Sequence, residues 1–187
     1  CAMTVEAAGS KTLTKTIDAG AIETLELSSG IGDVTITARE GLDEVAIEVL
    51  LTPRRGGFFS SKRKAELEVE AASLETSVKK DRLQLEIAAT DDEDRRFEER
   101  WEIEIPARLA LRLEHGVGDI EIQGIAADVE LDSGVGDVDM TVLEGDIMVD
   151  LGVGQATVHG PAAVYGTVEA AGGVGSARVT VHGEEIE

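Results

Sequence analysis

The sequence predicts an all-β chain wound as a parallel β-solenoid, β-helix-like, with two strands in each coil of about 18 residues. Three observations predict it. A Gly-[Ile/Val]-Gly unit, followed in most copies by Asp, recurs at fixed spacing. Apolar and polar residues alternate between the units. The apolar residues are mostly aliphatic, with aromatics at only 3% of the chain. Glycine at a fixed interval marks tight turns, because it accepts backbone conformations closed to other residues. Alternation with a period of two marks strands with one buried face. A core of Val, Ile, Leu and Ala suits the narrow interior of stacked coils, each of which buries the face of its neighbour.

Residues 1–11 read as a tether, small and polar after Cys1. Residues 12–187 read as one solenoid domain, irregular over 12–115 and regular over 116–183. In the irregular part, alternation runs from Thr12 to Ser28 through Leu13, Ile17, Ile22, Leu25 and Leu27. Gly30-Ile31-Gly32-Asp33 then leads into Val34-Thr35-Ile36. Further strands are expected at Val45, Ile47 and Val49, at Leu67-Glu68-Val69, at Leu83 to Ile87, and at Trp101 to Ile105, where Pro106 ends the run. Two charged segments, PRRGGFFSSKRK from Pro53 to Lys64 and DDEDRRFEERWE from Asp91 to Glu102, read as hairpin loops. This half is expected to be the wider start of the solenoid, with antiparallel excursions.

The regular part carries the repeat openly. Gly116-Val117-Gly118-Asp119, Gly134-Val135-Gly136-Asp137 and Gly152-Val153-Gly154-Gln155 begin 18 residues apart. Gly173-Val174-Gly175-Ser176 comes three residues late, and the slip falls at Gly160-Pro161-Ala162. A half-repeat of nine residues links Gly118-Asp119-Ile120, Ala127-Asp128-Val129, Gly136-Asp137-Val138 and Gly145-Asp146-Ile147. Strand, turn, strand, turn makes one coil.

The net charge is −21. A polyanion of that size repels nucleic acid and anionic membrane surfaces. It favours cations or basic partners, and it discourages edge-to-edge pairing of strands. No stretch approaches the roughly 20 apolar residues of a membrane-spanning helix. The one cysteine is Cys1, so no internal disulfide is available. A chain opening on Cys is like the mature end of a bacterial lipoprotein. Cys1 is therefore the expected point of lipid attachment, and the lipid the expected link to a membrane.

The run from Glu102 to Pro106, then Leu109-Ala110-Leu111-Arg112-Leu113-Glu114-His115-Gly116-Val117-Gly118-Asp119-Ile120-Glu121-Ile122, then the repeated Gly-Asp-[Ile/Val] units, resembles the bacterial putative-adhesin family. The likeness covers residues 12 to 183. It implies a β-solenoid with glycine-centred turns, a place in the cell envelope or at the surface, and no known catalysis. The function expected is that of a non-enzymatic cell-envelope protein, adhesin-like or structural, whose partner is a protein or another envelope component.

Two groups of residues are candidate sites. Asp119 and Asp137 occupy equivalent turns one coil apart, and Asp128 and Asp146 do so on the opposite edge. Stacked carboxylates repel unless solvated or neutralised. A hard cation such as Ca2+ would neutralise them, as in a calcium-stabilised β-roll. Alternatively each Asp caps its turn by bonding nearby backbone N–H groups. The replacement of Asp by Gln155 and Ser176 favours the cap. The second group is the basic segment Arg54, Arg55, Phe58, Phe59, Lys62, Arg63 and Lys64, a candidate loop for a partner or an anionic surface. His115, His159 and His182 are scattered and lack Cys partners, so no metal site is expected there. A glycan-active β-helix enzyme is the third reading. Against it, Arg178 is the only Lys or Arg after position 115, and Tyr165 is the only aromatic in the repeats. The charged C-terminus, Glu184 to Glu187, does not look like a cap. A homo-oligomer through the end coils is therefore expected to be open to this chain.

Overall fold

The structure, a computed structural model, describes residues 9–54, 62–89, 96–160, 168–181 and 184–186. For Lys62, 168–181 and 184–186 it describes the backbone only. The strands are β1 Lys11–Asp18, β2 Thr24–Ile31, β3 Val34–Arg39, β4 Glu44–Pro53, β5 Ser73–Lys79, β6 Arg82–Ala88, β7 Phe97–Pro106, β8 Ala110–Val117, β9 Ile120–Ala126, β10 Val129–Val135, β11 Val138–Glu144, β12 Ile147–Gly160, β13 Val168–Val181 and β14 Glu184–Ile186. One helix, α1 Lys62–Ala71, accompanies them among the described residues. The chain is all-β, as its alternation predicts.

The strands lie in the order β1-β4-β7-β3-β9-β11-β12-β10-β8-β2-β6-β5. The order reverses at β12. Its first half pairs with β10 and its second half with β11. The sheet thus folds back into a nearly closed, barrel-like wall, mostly parallel, with β1 and β5 at its free ends. β13 runs along the far edge of both halves of β12, and β14 pairs antiparallel with its end.

The repeat spacing reappears as strand register. Val129 pairs with Leu111, and Ile147 with Val129. Thus each Gly-x-Gly turn and its two flanking strands form a level that rests on the level before it. The three-residue slip is honoured as well. Val153 pairs with Val174 and Gly154 with Gly175.

The irregular half carries a long insertion between its first two Gly-x-Gly turns. Ile31 pairs with Val117, and Val34 with Ile120. The first Gly-Ile-Gly-Asp turn therefore stacks directly under the second, and the residues between them are an insertion. That insertion adds a level below: β6 runs parallel to β2, and β7 parallel to β3. The antiparallel excursions are present, with β1 on β4, β4 on β7 and β5 on β6.

Two local expectations are corrected. Residues 67–69 belong to α1 rather than to a strand. Ala65, Val69 and Ala72 are buried while Leu67 is 54% exposed. That is the three-to-four residue spacing of one helix face. Lys11 Nζ donates to the carbonyls of Glu70 (2.9 Å) and Ala72 (2.7 Å), satisfying acceptors at the end of the helix. In the acidic segment, residues 97–102 are not a loop but the start of β7, which includes the strand expected from Trp101 to Ile105; Phe97, Glu99 and Trp101 alternate inward. Residues 91–95 lie outside the described residues. Phe97 and Trp101 are buried at this lower end, and among the described residues the hydrophobic side chains buried in the levels above are aliphatic.

Candidate functional site

The Gly-x-Gly turn is where levels approach most closely. Gly136 sits at φ +147°, and a Cβ there would fall 1.9 Å from the carbonyl oxygen of Gly118. No other residue fits without moving backbone. Glycine at this position follows from the packing of one turn on the next.

The aspartate after each turn is tied to the next level. The Asp137 amide donates to Asp119 Oδ1 at 3.0 Å, and the Gln155 amide donates to Asp137 Oδ1 at 2.9 Å. The Asp119 amide reaches Asp33 Oδ1 at 3.4 Å. On the opposite edge the Asp146 amide donates to Asp128 Oδ1 at 2.9 Å. These aspartates do cap turns, but the turn capped belongs to the next level. Gln155 is tolerated in this run because it contributes a backbone amide, which any residue but proline supplies. The four candidate cation ligands are thus split between two edges, Asp119 and Asp137 on one, Asp128 and Asp146 on the other. Among the described residues, no three acidic, histidine or cysteine side chains gather as a metal ion would require.

Between its glycines, each turn exposes an aliphatic side chain. Val117, Val135 and Val153 are 44%, 45% and 45% exposed. They pair in register with one another and, below, with the partly exposed Ile31. An acidic row runs alongside. Asp132 pairs with Glu114 and Asp150 with Asp132, all exposed. Asp33, Asp119 and Asp137 line the other side.

Beneath this stripe lies a buried polar layer. Ser29, His115 and Ser133 pair in register and face inward. Glu99 accepts from Ser29 Oγ at 3.1 Å and from Trp101 Nε1 at 2.9 Å. Neither ring nitrogen of His115, nor Ser133 Oγ, has a hydrogen-bond partner among the described residues. Burial pushes the His115 pKa below its usual value. Backbone groups of Gly118 and Gly32 and the charges of Glu99 and Asp33 oppose that shift without cancelling it. Reading 97–102 as a charged loop concealed this layer. The alternation Phe97-x-Glu99-x-Trp101-x-Ile103 already placed Glu99 on the inner face.

The described residues of the basic segment lie at the end of β4 and the start of α1. Lys62, Arg63 and Lys64 open α1, with Arg63 and Lys64 exposed. Arg54 lies at the end of β4, with its Nε 3.6 Å from Glu98 Oε1. Arg55, Phe58 and Phe59 lie outside the described residues, as does Cys1.

No family model matches the chain, and no curated protein does. Among solved structures, it is similar to a putative cell adhesion protein from Clostridium sporogenes ATCC 15579. The two superpose with a TM-score of 0.57 over 92% of this chain and 98% of that one, at 14% identity. The two share a fold. A putative adhesin from Bacteroides fragilis NCTC 9343 covers 90% of this chain and 97% of its own, at a TM-score of 0.33 and 11% identity. Another, from Parabacteroides merdae ATCC 43184, covers 91% and 96%, at 0.30 and 11%. The shared fold is that of the Clostridium protein. At that level the resemblance to the putative-adhesin family holds.

Proposed function

We propose that this protein is a non-enzymatic, adhesin-like interaction module of the bacterial cell envelope, anchored by a lipid on Cys1. The observation that carries the reading is the set of exposed rows held in register across successive levels. Such rows suit recognition of an extended partner, because every level repeats the same contact. On this reading the stacked levels are coils of a solenoid, two strands each, rising about 4.8 Å per coil. The name of the Clostridium protein of like fold supports the same direction.

The test is retention of purified protein, lacking the lipid, on bacterial envelope fractions: peptidoglycan sacculi, surface polysaccharide and membrane vesicles. Saturable retention on at least one is expected. Retention on none, or turnover of a glycan, would overturn the module reading. Mass spectrometry of the native protein should find acylated Cys1, and an unmodified Cys1 would remove the anchor. Calcium should leave the melting temperature unchanged, because one oxygen of each capping aspartate already accepts an amide. A calcium-dependent rise would favour the β-roll alternative.

A further inference from the structure

We propose that the Gly-[Ile/Val]-Gly row is a docking stripe for a cationic amphipathic peptide segment of a partner protein, aliphatic along its middle and Lys- or Arg-bearing on both sides. This deepens the interaction-module reading and rests on it.

The glycines and the aliphatic residues of the row have different causes. The glycines are imposed by backbone contact between levels. The aliphatic residue is not imposed by packing. Val117, Val135 and Val153 are nearly half exposed, and threonine would keep the same β-branched shape with a hydroxyl for the solvent. Yet an aliphatic residue stands at this place in Ile31, Val117, Val135, Val153 and, in the backbone register, Val174. Glycine on either side leaves these side chains unscreened, as one continuous apolar strip. At about 4.8 Å per level, the four rungs from Ile31 to Val153 span roughly 14 Å, the length of about ten helical residues.

Charge identifies the occupant. On one flank stand Glu114, Asp132 and Asp150, and on the other Asp33, Asp119 and Asp137. Neighbouring carboxylates in such rows repel one another even in water. Among the described residues, no base forms an ion pair with any of the six. The nearby Arg112 is engaged with Glu130 at 3.2 Å. Asp33, Asp119 and Asp137 each use Oδ1 for an amide of the next level, leaving Oδ2 free for a partner's ammonium or guanidinium group. An anionic lipid surface or a second copy of this chain, at −21, would meet like charge on both flanks. A bare cation would gain nothing from the aliphatic strip. A peptide with an apolar centre and basic edges satisfies both features.

The probe is a synthetic amphipathic helix of Leu and Lys, beside a permuted peptide of the same composition, titrated by fluorescence anisotropy. The triple variant Val117→Thr, Val135→Thr, Val153→Thr should fold with unchanged circular dichroism and bind at least about tenfold more weakly. The variant Glu114→Gln, Asp132→Asn, Asp150→Asn should also weaken binding and flatten its dependence on salt. Undiminished binding by the Thr variant, or equal binding of the permuted peptide, would overturn the stripe and leave only attraction by net charge. Binding of anionic vesicles, or self-association, that the Thr variant loses would overturn the choice of partner. If the Thr variant fails to bind the peptide yet is retained on envelope fractions like wild type, the stripe is not the adhesive surface, although the module reading stands. If wild type is not retained on any fraction, the module reading itself fails.

Discussion

His115 is the residue whose environment is most at odds with its chemistry. Its ring is buried between Ser29 and Ser133, close to Glu99, and its pKa is held below 6.5 because burial disfavours the imidazolium. The unfolded chain therefore binds more protons than the native state below the ordinary value. The stability tied to this ring is complete above that value and drains away as pH falls towards the lowered one. Wild type should lose stability faster than His115→Gln between about pH 8 and about pH 5. Urea midpoints across that range measure the difference. Parallel curves would mean that the ring is not held neutral by burial.

At the scale of elements, α1 shows how one short segment can satisfy two patterns. Leu67 and Val69 are two apart, so they look like neighbours on one face of a strand. Ala65, Val69 and Ala72 have helical spacing, and the structure buries this set. The two patterns make opposite predictions for Leu67. In the helix, Leu67→Asp lies at the surface and should change stability by no more than about 0.5 kcal/mol. Val69→Asp buries a charge and should cost more than about 3 kcal/mol. Chemical denaturation of the two variants decides between them, since a strand would make both substitutions costly. β7 teaches a related lesson. Its acidic residues suggest a loop, yet Glu98, Glu102 and Glu104 face out while Glu99 lies inside, where it accepts from the Ser29 hydroxyl and the Trp101 ring nitrogen.

For the whole molecule, parallel stacking brings like residues beside like. The aliphatic ones fill a continuous core, and the carboxylates form rows on the outside. With 38 acidic against 17 basic side chains, the native state carries more self-repulsion than an expanded chain does. Raising sodium chloride from about 0.01 M to about 0.3 M shortens the screening length from about 30 Å to under 10 Å and should raise the melting temperature by several degrees. Calorimetry at the two salt levels tests this. A flat response would mean that the rows are already neutralised.

In the repeats, the sequence by itself determined the strands, their inner faces and the step from one level to the next. All of these are local periodicities, and even the late Gly173-Val174-Gly175 copy lands in register on Gly152-Val153-Gly154. Tertiary structure alone decided that Gly30-Ile31-Gly32 rests on Gly116-Val117-Gly118 across a long insertion, because pairing between distant strands leaves no local signature. It also decided which backbone amide each turn aspartate binds. The Asp137 amide reaches Asp119 only when two levels are stacked, so the partner of that carboxylate is a property of the assembled sheet. The exposed valines belong to both accounts. Their spacing is written in the chain, but only stacking gathers them into one strip between two rows of carboxylates.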